Sequence, residues 1–348
     1  MLWLIILALG FWVFGARLKV LPEVRFSVIA TLYAALILAH LVLSDQHPLI
    51  LATGGSIAPL ALLGGFIGII LIYRLGLRAL RRRAERTQSA GASTPNQSDR
   101  FNATELERYA RHIMLREIGG VGQKKIKQAK ILVIGAGGLG APALQYLAAS
   151  GVGTIGVIDD DLVENSNLQR QVIHQDTAIG TPKVYSAQTM MLAQNPYIDI
   201  RPYHRRFTKD IAAELCGEFD LLLDGSDNFD TRYLANETAV ALRMPLISGA
   251  LSQWEGQVAV FDPKTFGPCY ACVFPSAPTE GLVPSCAEAG VFAPLPGVVG
   301  TIMAAEALKL LSDAGTTLRG DMLIYDALYG ETRKLKMTPR RDCAICGG

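Results

Sequence analysis

The chain has no surplus of charge of one sign. Its 348 residues hold 33 lysines and arginines against 31 aspartates and glutamates, a net of +2. No global positive field therefore points to nucleic acid as a partner. Charge is missing altogether from residues 1–16. The same stretch lacks the positive n-region and the small-residue cleavage site of a signal peptide, which favours a membrane helix. Cysteine is scarce, at six residues. Four of the six nevertheless fall into two CxxC pairs.

What is present is unevenly spread. Residues 26–44 and 48–73 are two further apolar runs. A spanning helix needs ~20 apolar residues, so the second and third runs are long enough and the first is short. None of the three shows the polar face that a globular helix presents. Arg17, Lys19 and Arg25 separate runs one and two. Only Asp45 and His47 separate two and three, and Arg74, Arg78, Arg81, Arg82, Arg83 and Arg86 follow the third. Positive flanks stay cytoplasmic. The expected layout is a transmembrane region over 1–75 with two or three helices and an outside amino terminus. A basic and polar linker over 76–100 and a cytoplasmic domain over 101–348 follow. Gly64 and Gly68 have the small-xxx-small spacing that can pack membrane helices.

From residue 101 the pattern alternates. Helix is expected over 104–117, 140–150, 182–194, 228–242 and 298–312. Strand is expected over KILVIG, TIGVID, IDIRPY, DLLLD and PLISG. This alternation predicts an α/β fold with a doubly wound, mostly parallel, Rossmann-like sheet. The later runs 256–262, 321–327 and 331–337 read as hairpin material that extends the sheet antiparallel.

The glycines of GAGGLG, Gly135, Gly137, Gly138 and Gly140, follow a strand and open a helix. Bare N–H groups and a helix N-terminus can then face phosphate oxygens. Asp159 ends the next strand, where a carboxylate can accept from ribose hydroxyls. Both features also fit a dinucleotide dehydrogenase. Asn167 and Arg170 in NLQRQ and Lys183 in TPK tip the balance. The positive charge of Arg170 and Lys183 beside the same crevice suits a triphosphate. Asp227, in LLLDGSDN, is expected to end a parallel strand on the same carboxyl edge, where a carboxylate suits Mg²⁺. It could equally cap the helix over 228–242, and Asp224 is the other candidate for the metal.

Cys269 with Cys272, and Cys343 with Cys346, form the two CxxC pairs. Four thiolates make a closed tetrahedral zinc site, structural because no position stays open. A redox dithiol is the competing reading, set aside because neither pair opens a helix after a strand. Cys286 lies alone in a Pro/Gly-rich stretch and reads as either a nucleophile or an inert thiol. Cys216 reads as packing.

Taken together, RYARHIMLREIGGVGQ, GAGGLG, NLQRQVIH, GTPK, LDGSDN, CYAC, CAEAG and the terminal CxxC resemble one group. It is the molybdopterin-synthase and thiamine-biosynthesis adenylyltransferases of the ubiquitin-activating superfamily. The resemblance covers about 104–347. It implies adenylation, with ATP and Mg²⁺, of the C-terminal Gly-Gly carboxylate of a small ubiquitin-like sulfur carrier. The carrier of molybdopterin synthase is favoured over a thiamine-pathway carrier, and a non-catalytic nucleotide-binding membrane scaffold is the contrasting class. By motif, Asp159 holds ribose, Arg170 and Lys183 bind phosphates, and Asp227 positions Mg²⁺. Arg111 matches an arginine supplied across a homodimer interface. Cys286 matches a cysteine that some members link covalently to the carrier or sulfur donor. The membrane segment departs from the group's pattern and places this chain in the inner membrane as a multi-pass protein. The absence of a rhodanese-like domain implies a separate sulfur donor.

Overall fold

The computed structural model describes residues 10–12, 14, 17, 22–44, 46–53, 55–58, 60–62, 64–66, 68–69, 73–74, 76, 100–265, 267–278 and 290–347. Cys286, the arginines at 78 and 81–83, Arg86 and the rest of the 77–99 segment lie outside these residues. The chain divides into two units, Met1–Ser93 and Thr94–Gly348.

In the first unit the second apolar run forms helix α1, Pro22–Val42. Its apolar part, Ser27–Val42, is shorter than a full membrane span. The third run is not one helix. It begins as α2, Pro48–Ala52. It then stops where Thr53 Oγ1 turns back onto the Leu49 carbonyl at 2.8 Å and Gly55 takes a positive φ of 73°. The described residues between 60 and 76 are helical again. Gly64 lies under the Tyr33 ring with no room for a side chain, whereas Gly68 has nothing near it. The Tyr33 hydroxyl donates to the Leu60 carbonyl at 2.5 Å. Of the small-xxx-small pair, only Gly64 makes a close approach among the described residues.

The second unit opens with α3, Ala103–Ile113. Asn102 caps it reciprocally with Glu105, which satisfies two otherwise orphan donors. Helix α4, Gly119–Gln128, follows. Strand β1, Lys130–Ile134, leads into α5, Gly140–Ala149, and then β2, Thr154–Ile158. Helix α6, Lys183–Gln194, connects to β3, Asp199–Tyr203, and α7, Lys209–Cys216, to β4, Leu221–Asp224. Helix α8, Phe229–Ala241, precedes β5, Leu246–Leu251, and β6, Glu255–Phe261. A one-turn helix α9, Tyr270–Val273, and the long α10, Pro294–Ser312, come before β7, Asp321–Asp326, and β8, Glu331–Lys336.

The eight strands form one sheet in the order β3-β2-β1-β4-β5-β6-β7-β8. The first five are parallel, and β6 to β8 add antiparallel. This is the expected doubly wound sheet with its antiparallel extension. Strands β1, β2 and β4 are buried on both faces, which is why they read as unbroken apolar runs. Strands β7 and β8 form a hairpin, whereas β6 and β7 do not, because α9 and α10 intervene. Strand order reverses between β1 and β4, and ligands of open α/β sheets sit at the carboxyl end of such a switch point.

Two layers cover the sheet. Residues of α5, α6 and α10 pack with Ile131, Val133, Ile155 and Ile247 on one face. Residues of α7 and α8 pack with Leu132, Phe219, Leu222 and Phe261 on the other. Helix α10 is the one helix among the described residues long and apolar enough to cross a membrane, yet half of it is buried in the domain. Leu295, Val299, Met303 and Ala307 are at most 1% exposed, so its apolarity is that of a core helix.

Helix α5 can start close behind β1 because Gly140 lies against the Gly135 carbonyl, where a Cβ would collide with backbone. Backbone cannot rotate away as a side chain can. Gly140→Ala is expected to destabilise the domain by about 1–3 kcal/mol or more, read from denaturant unfolding. An unchanged midpoint would show that this approach is not a constraint.

Candidate functional site

The loop after β1 is held from several directions. Gly135 has a φ of 90°, a conformation that favours glycine, and its N–H donates to the Ile158 carbonyl at 2.9 Å. The Ala136 N–H donates to Asp159 Oδ2 at 2.7 Å. The Ala136 carbonyl lies 2.9 Å from His174 Nε2. Helix α5 then begins with no side-chain cap and no acidic residue in its first turn, leaving its N–H groups directed at the crevice.

Asp159 is therefore more than a free acceptor. Its Oδ1 also accepts from the Asp161 N–H at 2.8 Å. Burial raises its pKa, while Lys183 and the two N–H groups oppose the rise. Each carboxylate oxygen keeps a further lone pair for a ribose hydroxyl.

Lys183 opens α6 and is 5% exposed. Its Nζ pairs with Asp161 Oδ2 at 2.7 Å. Arg170 lies beside the loop, with Cδ 3.9 Å from the position a Cβ on Gly138 would take. Its guanidinium donates to the Ser166 carbonyl at 3.2 Å and to Asn167 Oδ1 at 3.4 Å. Asn167 thus orients Arg170. Gln171 is 4% exposed. Its Nε2 lies 3.6 Å from the Cβ position of Gly137, and its buried Oε1 has no hydrogen-bond partner among the described residues. That acceptor can take a hydrogen bond from a hydroxyl or amino group of a bound nucleotide, though not from its phosphate oxygens.

Asp227 does not end a strand, since β4 stops at Asp224. Nor does it cap α8. Asn228 does so, accepting from the Thr231 N–H at 2.9 Å. Asp227 is exposed in the connecting loop, and its carboxylate has no partner among the described residues. It is thus open to a cation. Asp224, the other candidate, is committed elsewhere. It is fully buried, accepts from Ser248 Oγ at 3.0 Å and from the Ser226 N–H at 3.0 Å, and pairs with Arg232 at 3.6 Å. Arg232 in turn donates to the Ser226 carbonyl at 2.6 Å and the Gly249 carbonyl at 2.9 Å. This buried pair braces the β4 loop against β5. Arg111 is exposed in the last turn of α3 and makes no contact with the loop among the described residues.

The four paired cysteines converge. Cys269 Sγ lies 3.9 Å from Cys272 Sγ and 3.7 Å from Cys343 Sγ, and Cys272 Sγ lies 3.3 Å from Cys346 Sγ. All four fall within 4.8 Å of one another. Sulfurs around a tetrahedral zinc with ~2.3 Å bonds lie roughly 3.8 Å apart, so the donor set fits that metal. Burial works against ionisation of Cys343, but N–H groups of Cys346 and Ile345 and the thiols of Cys269 and Cys272 outweigh it and bring it down to about 6. Cys269 stands at the N-cap of the one-turn helix α9, but a 3-10 turn over Pro263–Thr265 separates that helix from β6. The convergence of all four sulfurs still separates the cluster from an isolated redox dithiol. Cys216 is fully buried at the end of α7, where burial pushes its thiol up to about 12, as a packing residue requires.

Residues 109–346 match the ThiF family. The chain belongs to the ThiF family. A sulfur carrier protein adenylyltransferase from Thermus thermophilus is 50% identical over 252 residues, 71% of this chain and 93% of that protein. A SAMP-activating enzyme E1 from Haloferax volcanii is 47% identical over 247 residues, 71% of this chain and 91% of that protein. The crystal structure of E. coli MccB with MccA-N7isoASN superposes with a TM-score of 0.62 at 22% identity, over 71% of this chain and 76% of that one. That likeness shows the fold alone. This ThiF-family chain is an adenylyltransferase, in line with the resemblance in its motifs.

Sequence reasoning missed Gln171, His174 and Arg232. Gln171 and His174 stood inside NLQRQVIH, so that motif was their only signal. Metal analysis of the freshly reduced ThiF-family protein is expected to find about one zinc per chain, lost in Cys343→Ser. Protein free of zinc would remove the four-cysteine site.

Proposed function

We propose that this chain adenylates the C-terminal Gly-Gly carboxylate of a small ubiquitin-like sulfur carrier, foremost that of molybdopterin synthase. The observation that carries the reading is one of position. The bare loop, Asp159, the cations Arg170 and Lys183, and Asp227, which has no partner among the described residues, share the carboxyl edge of β1, β2 and β4. The names of the relatives from Thermus and Haloferax support a protein carrier as substrate.

The chemistry follows from charge. A carrier carboxylate oxygen attacks the α-phosphorus of ATP, forming the acyl-adenylate bond as the α–β phosphoanhydride bond breaks and pyrophosphate departs. Both reactants are anions, so the site must neutralise and align them. Lys183 and Arg170 take phosphate oxygens, Asp159 takes the ribose, and N–H groups at the start of α5 add positive potential. Asp227 would hold Mg²⁺, which when bound would shield the phosphate charge. Arg111 reaches the site from the second subunit of a homodimer and adds a further cation. Cys286 is not needed for adenylation, and the sulfur arrives from a separate donor protein.

The purified protein should exchange labelled pyrophosphate into ATP only when a Gly-Gly-ended carrier is present. Asp227→Ala should lower the exchange by roughly 100-fold or more, and Cys286→Ala should leave it intact. Absence of exchange with every endogenous carrier sinks the enzyme reading.

The apolar amino-terminal unit we read as an inner-membrane anchor with the catalytic domain cytoplasmic. The apolar runs 26–44 and 48–73 and the arginines after residue 73 are the sequence features behind that layout. A reporter fused after residue 90 should be active only in the cytoplasm. Activity outside would overturn the topology.

A further inference from the structure

The glycine loop contains a single residue with a side chain among Gly135, Ala136, Gly137 and Gly138. Glycine-rich backbone has more conformations to lose on binding than other segments. A loop that waits for phosphate in one geometry must therefore be held from outside. The Ala136 peptides are where that happens. Asp159 Oδ2 accepts from the Ala136 N–H at 2.7 Å, and His174 Nε2 lies 2.9 Å from the Ala136 carbonyl. Ala136 and His174 are both buried.

The hydrogen bonds define the state of the ring. A carbonyl oxygen can only accept, so Nε2 carries the proton. Nδ1 lies 2.9 Å from Ser186 Oγ, and in the neutral ring it accepts from that hydroxyl. Burial disfavours the imidazolium, the Ala136 carbonyl favours it, and the nearby Lys183 disfavours it again. Ser186 lies on α6, three residues after Lys183. One short helix segment thus supplies both a phosphate cation and the group that orients the imidazole.

We propose that His174 is a positioning residue for ATP, its Nε2–H fixing the Ala136 carbonyl while Asp159 fixes the Ala136 N–H, so that the glycine loop meets the phosphates already formed. Ser186 sets the tautomer that makes this possible. His174 touches neither ATP nor the carrier, and acts through the loop. The proposal rests on the reading that this loop receives ATP.

The test is calorimetric titration of the full-length protein with ATP and Mg²⁺, beside carrier-dependent pyrophosphate exchange and thermal unfolding. His174→Leu removes both hydrogen bonds at similar volume. His174→Gln keeps an N–H donor at the end of a side chain of comparable reach. His174→Leu should weaken ATP binding by roughly tenfold, with exchange at saturating ATP changed less than about twofold. His174→Gln should recover most of the affinity although its melting midpoint matches that of His174→Leu. Wild-type affinity in His174→Leu overturns the proposal. Equal weakening in both variants also overturns it, since that is the signature of packing alone. Should His174→Leu fail to fold, Ser186→Ala carries the test, because it keeps the ring and frees its tautomer. Unchanged ATP affinity there overturns the proposal. Wild-type protein that binds ATP but exchanges no pyrophosphate defeats the adenylation reading, while the calorimetry still decides the role of His174. Wild-type protein that binds no ATP defeats both.

Discussion

Everything at the crevice depends on the approach of two backbones without side chains between them. Gly140 presses on the Gly135 carbonyl, and Gly225 fits against the Gly140 N–H and the Ile134 carbonyl. Because of these contacts α5 starts at the mouth of the β1–β4 switch point and points its N-terminus into it. The β4 loop can then close in from the other side, carrying Asp227. Larger residues at either contact would separate helix, loop and sheet, and the cations contributed by α6 and by the 165–171 segment would face an empty gap.

The electrostatics of the crevice are those of groups held ready and partly neutralised. Lys183 is buried, and a buried ammonium needs a partner. Asp161 provides one and is itself exposed. On the proposed reading, a triphosphate would compete with a carboxylate that water can readily solvate once released. Asp159 has the opposite balance. Its burial disfavours the carboxylate, and three favourable neighbours, Lys183 and two N–H groups, keep that cost in check. The pair Asp224–Arg232 is insulated from this traffic, being buried and saturated with hydrogen bonds.

The parallel core was legible in the sequence because strands buried on both faces must be apolar along their whole length. KILVI, TIGVI and LLLD admit few other readings. The glycine loop and Asp159 were legible as a pattern of spacing. Helix α4 was not, since GGVGQKKIKQ has three glycines and weak intrinsic helicity. It is held by burial of Gly122, Gln123 and Ile126, a tertiary effect. The run 48–73 looked continuous by hydropathy, yet its break at 53–57 depends on a side-chain hydroxyl and a positive φ. Asp224 and Asp227 could not be told apart by position alone. Their difference lies in Arg232 and Ser248, and such long-range partners leave no local trace. The imidazole of His174 was hidden for the same reason.

Helix α10 has the composition of a membrane span inside a chain whose first unit is strongly apolar. Its neighbours show how the two are kept distinct. The elements that bury it, α4, α5, β5 and β6, all precede it in the chain. During synthesis the surface that receives α10 therefore emerges before α10 does. The order of elements along the polypeptide offers this helix a protein surface first, so that its hydrophobicity serves the core and is not left exposed to a lipid bilayer.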